Sequence, residues 1–278
     1  MLRNARYLYS CFFCILAAAL IADSAMSAEK AVSNSLEDGV KSHHAIEETQ
    51  IRIDIGGGVQ IPFVWIELIG IWAGQFEITN GQYRRFDGNH ISKPFHGFQL
   101  NANNQPAVWV SWEDACNYCD WFNRNFDKQI PSGYSCRLPE ESEWQLIAAC
   151  GEPRTFPWGN LWPPPNQWNY RGQEGRSGIF KVFHAKERFI RSRRDSFIVS
   201  APVSRSGKNL WGLFGIGGNV WEWCDGFFDQ ERTERVLRGA SWSNYKPQVL
   251  AVTNRANARQ EKKNAIIGFR IVLAPVRR

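Results

Sequence analysis

Apolar and polar residues alternate from Ile51 to Ile55, with Ile51, Ile53 and Ile55 set against Arg52 and Asp54. That is the period of a strand with one buried face, and Gly56 to Gly58 then turn the chain. The following run, "IPFVWIELIGIWAGQFEI", is rich in β-branched and aromatic residues and predicts further strands rather than a helix. Three short helices are predicted next, each from a physical start signal. In "ITNGQYRRF", Thr79 and Gln82 have the spacing of a reciprocal capping box. In "VSWEDACNYCDWFNRNF", Ser111 caps a segment whose Trp112, Ala115, Cys116, Cys119, Phe122 and Phe126 share one face, with Glu113, Asp114, Asn117, Asp120 and Asn123 on the solvated side. In "RLPEESEW", Pro139 suits a first turn and Glu140, Glu141 and Glu143 complement the positive end of the helix dipole. This placement explains those carboxylates structurally, without acid–base catalysis. Beyond Cys150 the pattern becomes irregular, until Val236 to Trp242 and Ile266 to Leu273 read as two strands around a polar middle.

The N-terminal 28 residues follow a different rule: Arg3 and Arg6, an apolar run from Tyr7 to Ala22, then small residues. They read as a secretory signal peptide cut near Ser27 or Ala28. The run is shorter than the roughly 20 apolar residues of a membrane span, so no span is expected after cleavage; an uncleaved anchor is the competing reading. Residues 29–50 are polar and read as a flexible linker, leaving 51–278 as one domain. Thirteen tryptophans, all beyond residue 60, favour a loop-rich fold pinned by aromatic surfaces.

Loss of the leader leaves Cys116, Cys119, Cys136, Cys150 and Cys224, an odd set whose pairing spacing alone does not give. Cys116 and Cys119 form a C-x-x-C, but they lie on an apolar helix face with no second such motif, so core positions are expected rather than metal ligands. Arg176, Lys181, Lys186, Arg188, Arg191, Arg193 and Arg194 crowd one basic stretch. It reads either as a solvated loop or as a patch for an anionic ligand. Nucleic acid is not expected, since the leader implies export and no nucleic-acid-binding motif is present.

The segments "EITNGQYRRF", "PAVWVSWEDACNYCDWF", "RLPEESEW", "FPWGN", "NLWGLFGIGGNVWEWCDGFF", "RVLRGASW" and "IGFR" occur in the order of the formylglycine-generating enzyme family, also called sulfatase-modifying factors. The resemblance runs from about residue 51 to the C-terminus and implies an irregular α+β fold similar to C-type lectin domains, with three short helices and small antiparallel sheets. It also implies structural calcium. One site maps onto Asn169 with the Tyr170 carbonyl and Asp195 with the Phe197 carbonyl. A second maps onto the carbonyls of Gly218 and Val220 and the carboxylate of Glu222, although Gly215 supplies no side-chain oxygen at its first position.

The family's oxidases bind copper through two cysteines, five and ten residues after the first glycine of an "RGGSW"-like segment. Counting from Gly239 reaches Asn244 and Val249, and no cysteine follows Cys224, so copper is not expected. Other relatives use the fold to bind ligands through the segment between "RGGSW" and "GFR". In this chain that segment offers Trp242, Asn244, Tyr245, Asn254, Arg255, Asn257 and Arg259. The expectation is an exported, non-catalytic ligand-binding or accessory module. The alternatives are a formylglycine-generating oxidase acting on sulfatase cysteines, or a structural component of an envelope assembly.

Overall fold

The computed structural model describes residues 49–172, 189–190 and 195–276. The expected signal peptide, nearly all of the expected linker and most of the basic stretch lie outside the described residues. The unit from Gln50 onward carries two sheets. The first orders its strands β1 (Gln50–Asp54), β2 (Gln60–Ile66), β3 (Ile71–Gly74), β9 (Val272–Pro275) and β4 (Tyr134–Arg137). The second runs β7 (Ala256–Arg259), β6 (Glu234–Arg238), β5 (Trp221–Phe227) and β8 (Ile267–Gly268). The first sheet is antiparallel throughout, whereas β5 and β8 pair in parallel, a departure from the all-antiparallel expectation.

The predicted helices form where their caps place them. Helix α1 (Asn80–Tyr83) opens on the reciprocal Thr79–Gln82 box, and α2 (Trp112–Phe126) on the same arrangement between Ser111 and Asp114. The buried face of α2 includes Tyr118, which stacks on Tyr83 and meets Phe269 edge-on. Helix α3 (Glu141–Ala149) begins two residues beyond Pro139, which the sequence placed in its first turn. Pro139 precedes its cap because the proline carbonyl is bonded to Asp225 N of β5 (2.8 Å), and Glu143 reaches back to Glu140 N (2.8 Å) instead. A fourth helix, α4 (Pro247–Leu250), interrupts the segment read as a polar loop, with Pro247 in its first turn.

The apolar run from Ile266 to Leu273, read as one strand, is divided between the two sheets. Gly268 lies so near Ala107 that a Cβ would meet the Ala107 carbonyl oxygen at 2.8 Å, and Arg270 turns into the interior as the chain crosses. The crossing thus carries a fully buried cation through the core that both sheets share, and its charge has to be answered from within the protein.

Candidate functional site

Residues 215–220 are a loop leading into β5, and Gly215, Gly217 and Gly218 are required there by close approach. At Gly218 φ is +80°, and a Cβ there would stand 2.5 Å from the Asn169 carbonyl oxygen. A Cβ at Gly217 would meet Pro157 Cγ at 2.5 Å. The tryptophans then seal the strand: Trp223 is fully buried and donates from Nε1 to the Val110 carbonyl (3.1 Å). Glycine and tryptophan therefore belong together here, since the loop must pass close to other backbone while the strand behind it fills the core.

Glu222, on β5, points inward and is fully buried. Arg270 donates from Nε to its Oε2 and from Nη2 to its Oε1, both at 2.7 Å, and Trp144 Nε1 adds a third donor at 2.8 Å. Nη1 and Nη2 also donate to the carbonyls of Gly74 (2.9 Å) and Phe214 (2.8 Å), respectively. As arranged, the carboxylate assigned by resemblance to a second cation is filled by an internal one, so Gly218, Val220 and Glu222 do not form an open cation site.

Sequence reasoning missed Glu77. It is fully buried, and its carboxylate lies against Gly215, where a Cβ would meet Oε1 at 2.2 Å. Asn219 Nδ2 donates to Oε1 (2.8 Å), while Oε2 has no partner. Burial pushes this carboxyl up to about 7, against the pull of the nearby Arg270 cation. A single acid at the end of a long apolar run was the available signal.

The other expected calcium residues come together. Asn169 is fully buried; its Nδ2 donates to the Val199 carbonyl and to Asn219 Oδ1, both at 3.0 Å, and its Oδ1 has no protein donor. Asp195 accepts from Tyr170 N on Oδ2 (3.0 Å) and from Phe197 N on Oδ1 (2.8 Å), which draws the two ends of the expected site onto one another. An orphaned buried amide oxygen beside a carboxylate fits a hard cation, which takes oxygen ligands. Among the described residues no group of three or more His, Cys, Asp or Glu side chains is placed to hold a metal. Cys119 is buried in the core and Cys116 packs half-buried against it, and burial pushes both thiols up.

Of the expected ligand-binding residues, Trp242 is buried, Asn244, Tyr245 and Asn254 are half-buried, and Arg255, Asn257 and Arg259 are exposed. Trp242 is 2% exposed and packs edge-on to Phe95 within the core, so it is corrected from a contact residue to a packing one. Asn244 folds onto its own turn, its Oδ1 accepting from Ser241 N (2.8 Å) and Oγ (2.9 Å) and its carbonyl from Arg171 N (2.9 Å). The Arg171 guanidinium lies over Tyr245, 5.8 Å from the ring centre. Val249 is half-buried on α4 against the core. Arg255, Asn257 and Arg259 are the exposed alternate positions at the entry to β7 and along it, with Asn254 half-buried just before them. Arg255 pairs with Glu141 (Nη2 to Oε2, 2.8 Å) across Phe228, and Asn257 bonds to Glu234. Beside Arg255 an open groove of about 930 Å³ runs along α3 past Glu140, Gln145, Leu146 and Asp225.

A family model described as "Sulfatase-modifying factor enzyme 1-like domain" matches residues 50–275. The "Formylglycine-generating enzyme" of Mus musculus is 36% identical over 125 residues, 45% of this chain and 28% of that protein. The "Inactive C-alpha-formylglycine-generating enzyme 2" of Mus musculus is 31% identical over 177 residues, 59% of this chain and 48% of that one. The chain therefore spans less than half the length of either relative. Among solved structures, "Treponema denticola variable protein 1" aligns with TM-score 0.59 at 20% identity, over 81% of this chain and 99% of that one. PvdO from Pseudomonas aeruginosa aligns with TM-score 0.54 at 18% identity, over 81% and 90%. At these identities the structural matches establish the C-type-lectin-like fold alone.

Proposed function

Because the chain belongs to the sulfatase-modifying factor enzyme 1-like family, whose relatives include proteins named as active and as inactive, we propose that it is an exported, non-catalytic ligand-binding or accessory module. The observation that carries this reading is the chemistry at Asn244 and Val249. One offers an amide already hydrogen-bonded within its turn, and the other an aliphatic side chain packed on the core. Soft Cu(I) selects thiolate and thioether donors, and neither group supplies one. The described cysteines, Cys116, Cys119, Cys136, Cys150 and Cys224, all precede this segment in the chain.

The ligand-facing residues in this reading are Asn244, Tyr245, Asn254, Arg255, Asn257 and Arg259, with Arg171 adding a cation over Tyr245 that suits an anionic group. A structural calcium ion belongs to the same proposal, held by the Asn169 and Asp195 side chains with the carbonyls of Tyr170 and Phe197. It would supply positive charge to a buried acceptor that the protein leaves unmatched. The oxidase alternative is favoured by the identity to the mouse enzyme. A competition titration of the purified chain against a Cu(I) chelator separates the two. Copper withheld by the chelator at every protein concentration supports the binding module, and tight one-to-one transfer to the protein overturns it.

A further inference from the structure

Helix α2 packs over β4, and three of its residues define the seam. Asn123 clamps the backbone of Cys136, donating from Nδ2 to the carbonyl (2.8 Å) and accepting on Oδ1 from the amide (2.7 Å). Cys119 lies one helical turn earlier on the same face, so its side chain is carried towards the same strand residue. Cys136 is the one buried residue of β4, and Cys119 and Cys136 are 4% and 3% exposed. Both are thiols in the structure, and they face one another across the seam. The other thiols face different groups: Cys116 lies near Asp225 and Arg235, Cys150 accepts from the backbone of Leu210 and Trp211, and Cys224 points at the Glu222 carbonyl (3.9 Å).

We propose that Cys119 and Cys136 are a disulfide pair, tying α2 to β4, and that Cys116, Cys150 and Cys224 remain thiols. Spacing alone leaves the pairing of five cysteines open; the α2–β4 seam selects one pair. The step is a thiol–disulfide exchange with a small-molecule or protein disulfide. One cysteine thiolate attacks the oxidant's S–S bond, forming a mixed disulfide and releasing one thiolate. The second cysteine thiolate then attacks the protein sulfur of that mixed disulfide and releases the other, and the two leaving thiolates take up the protons the cysteines gave up, so the oxidant departs as two thiols. Burial pushes the Cys119 thiol well up, so exchange is slow once the seam has closed. Closure of the bond therefore belongs to folding, and the finished bond is shielded from reductants.

The inference takes the export reading as its setting, and the experiment separates the two. The full chain, unfolded and reduced, is refolded in a glutathione–glutathione disulfide buffer, denatured in alkylating reagent, digested and analysed by mass spectrometry. A linked peptide pair containing Cys119 and Cys136, with Cys116, Cys150 and Cys224 alkylated, is expected. Recovery of Cys119 and Cys136 both alkylated, or linked to other partners, overturns the pairing. Reducing the refolded wild type should lower its denaturant midpoint, while Cys136→Ala should show no such shift; an unmoved wild-type midpoint also counts against the bridge. The same digest of chain made in an exporting cell tests export independently, since a pair that closes in the refolding buffer but stays reduced there leaves the pairing intact and removes the setting.

Discussion

Replacing Arg270 by alanine removes four hydrogen bonds at once: two to Glu222 and one each to the carbonyls of Gly74 and Phe214. Both members of the ion pair have no exposed side-chain surface, so the abandoned carboxylate cannot recover water. Breaking a buried pair by deleting one partner costs about 3–5 kcal/mol, and the freed carbonyls place this case at the upper end. Against a total stability of roughly 5–15 kcal/mol, the variant is left marginal or unfolded at 25 °C. Urea unfolding followed by tryptophan fluorescence measures the loss, and a double-mutant cycle assigns its source. Glu222→Gln removes the charge that Arg270→Ala strands, so the double variant should lose less than the sum of the single losses, by about 1–3 kcal/mol. Losses additive to within about 0.5 kcal/mol would show that the two side chains do not act on one another, and the reasoning about the crossing cation would fall with them.

Two glycines with similar backbone separate crowding from strain. Gly218→Ala, at φ +80° with a carbonyl oxygen 2.5 Å from the new methyl, should lose more than Gly58→Ala, at φ +73° with nothing within 4 Å, where strain alone costs about 1–2 kcal/mol; equal urea midpoints would contradict this. Calcium removal with a chelator should lower the thermal midpoint, and Asp195→Ala should erase the difference; coincident melting curves with and without chelator remove the ion from the account. His90, half-buried against Tyr83, is held below the usual imidazole value of 6.5 by burial, with Asp87, Arg84, Asp114 and Lys263 as its charged neighbours. The unfolded chain therefore binds this proton more readily, and His90 contributes stability that is lost as pH falls below about 6.5. Midpoints measured from pH 7 to 5 should fall more steeply for wild type than for His90→Gln, and parallel profiles would refute the assignment.

Local chemistry made much of the fold legible. The caps at Thr79 and Ser111 act within three residues, and the alternation from Ile51 to Ile55 needs only one buried face, so neither depends on the rest of the chain. The polar interior was hidden because its partners are distant: Glu222 and Arg270 are 48 residues apart, and Glu77 and Asn219 are 142 apart. Trp242 was misread for a related reason. An indole flanked by Ser241, Ser243 and Asn244 resembles an exposed contact until Phe95, from a remote loop, covers it. The run from Ile266 to Leu273 is apolar apart from Arg270 because it passes from one sheet to the other within a shared core, a pattern that reads as one long buried strand.

The proposal that this scaffold works without the oxidase chemistry rests on the side chains at 244 and 249. The direct measurement incubates the full chain with Cu(I), molecular oxygen and a cysteine-containing sulfatase-type peptide, and follows the peptide by mass spectrometry. An unmodified cysteine across many turnover-times of a formylglycine-generating enzyme run in parallel is the expected result; formylglycine appearing at an enzymatic rate would contradict it.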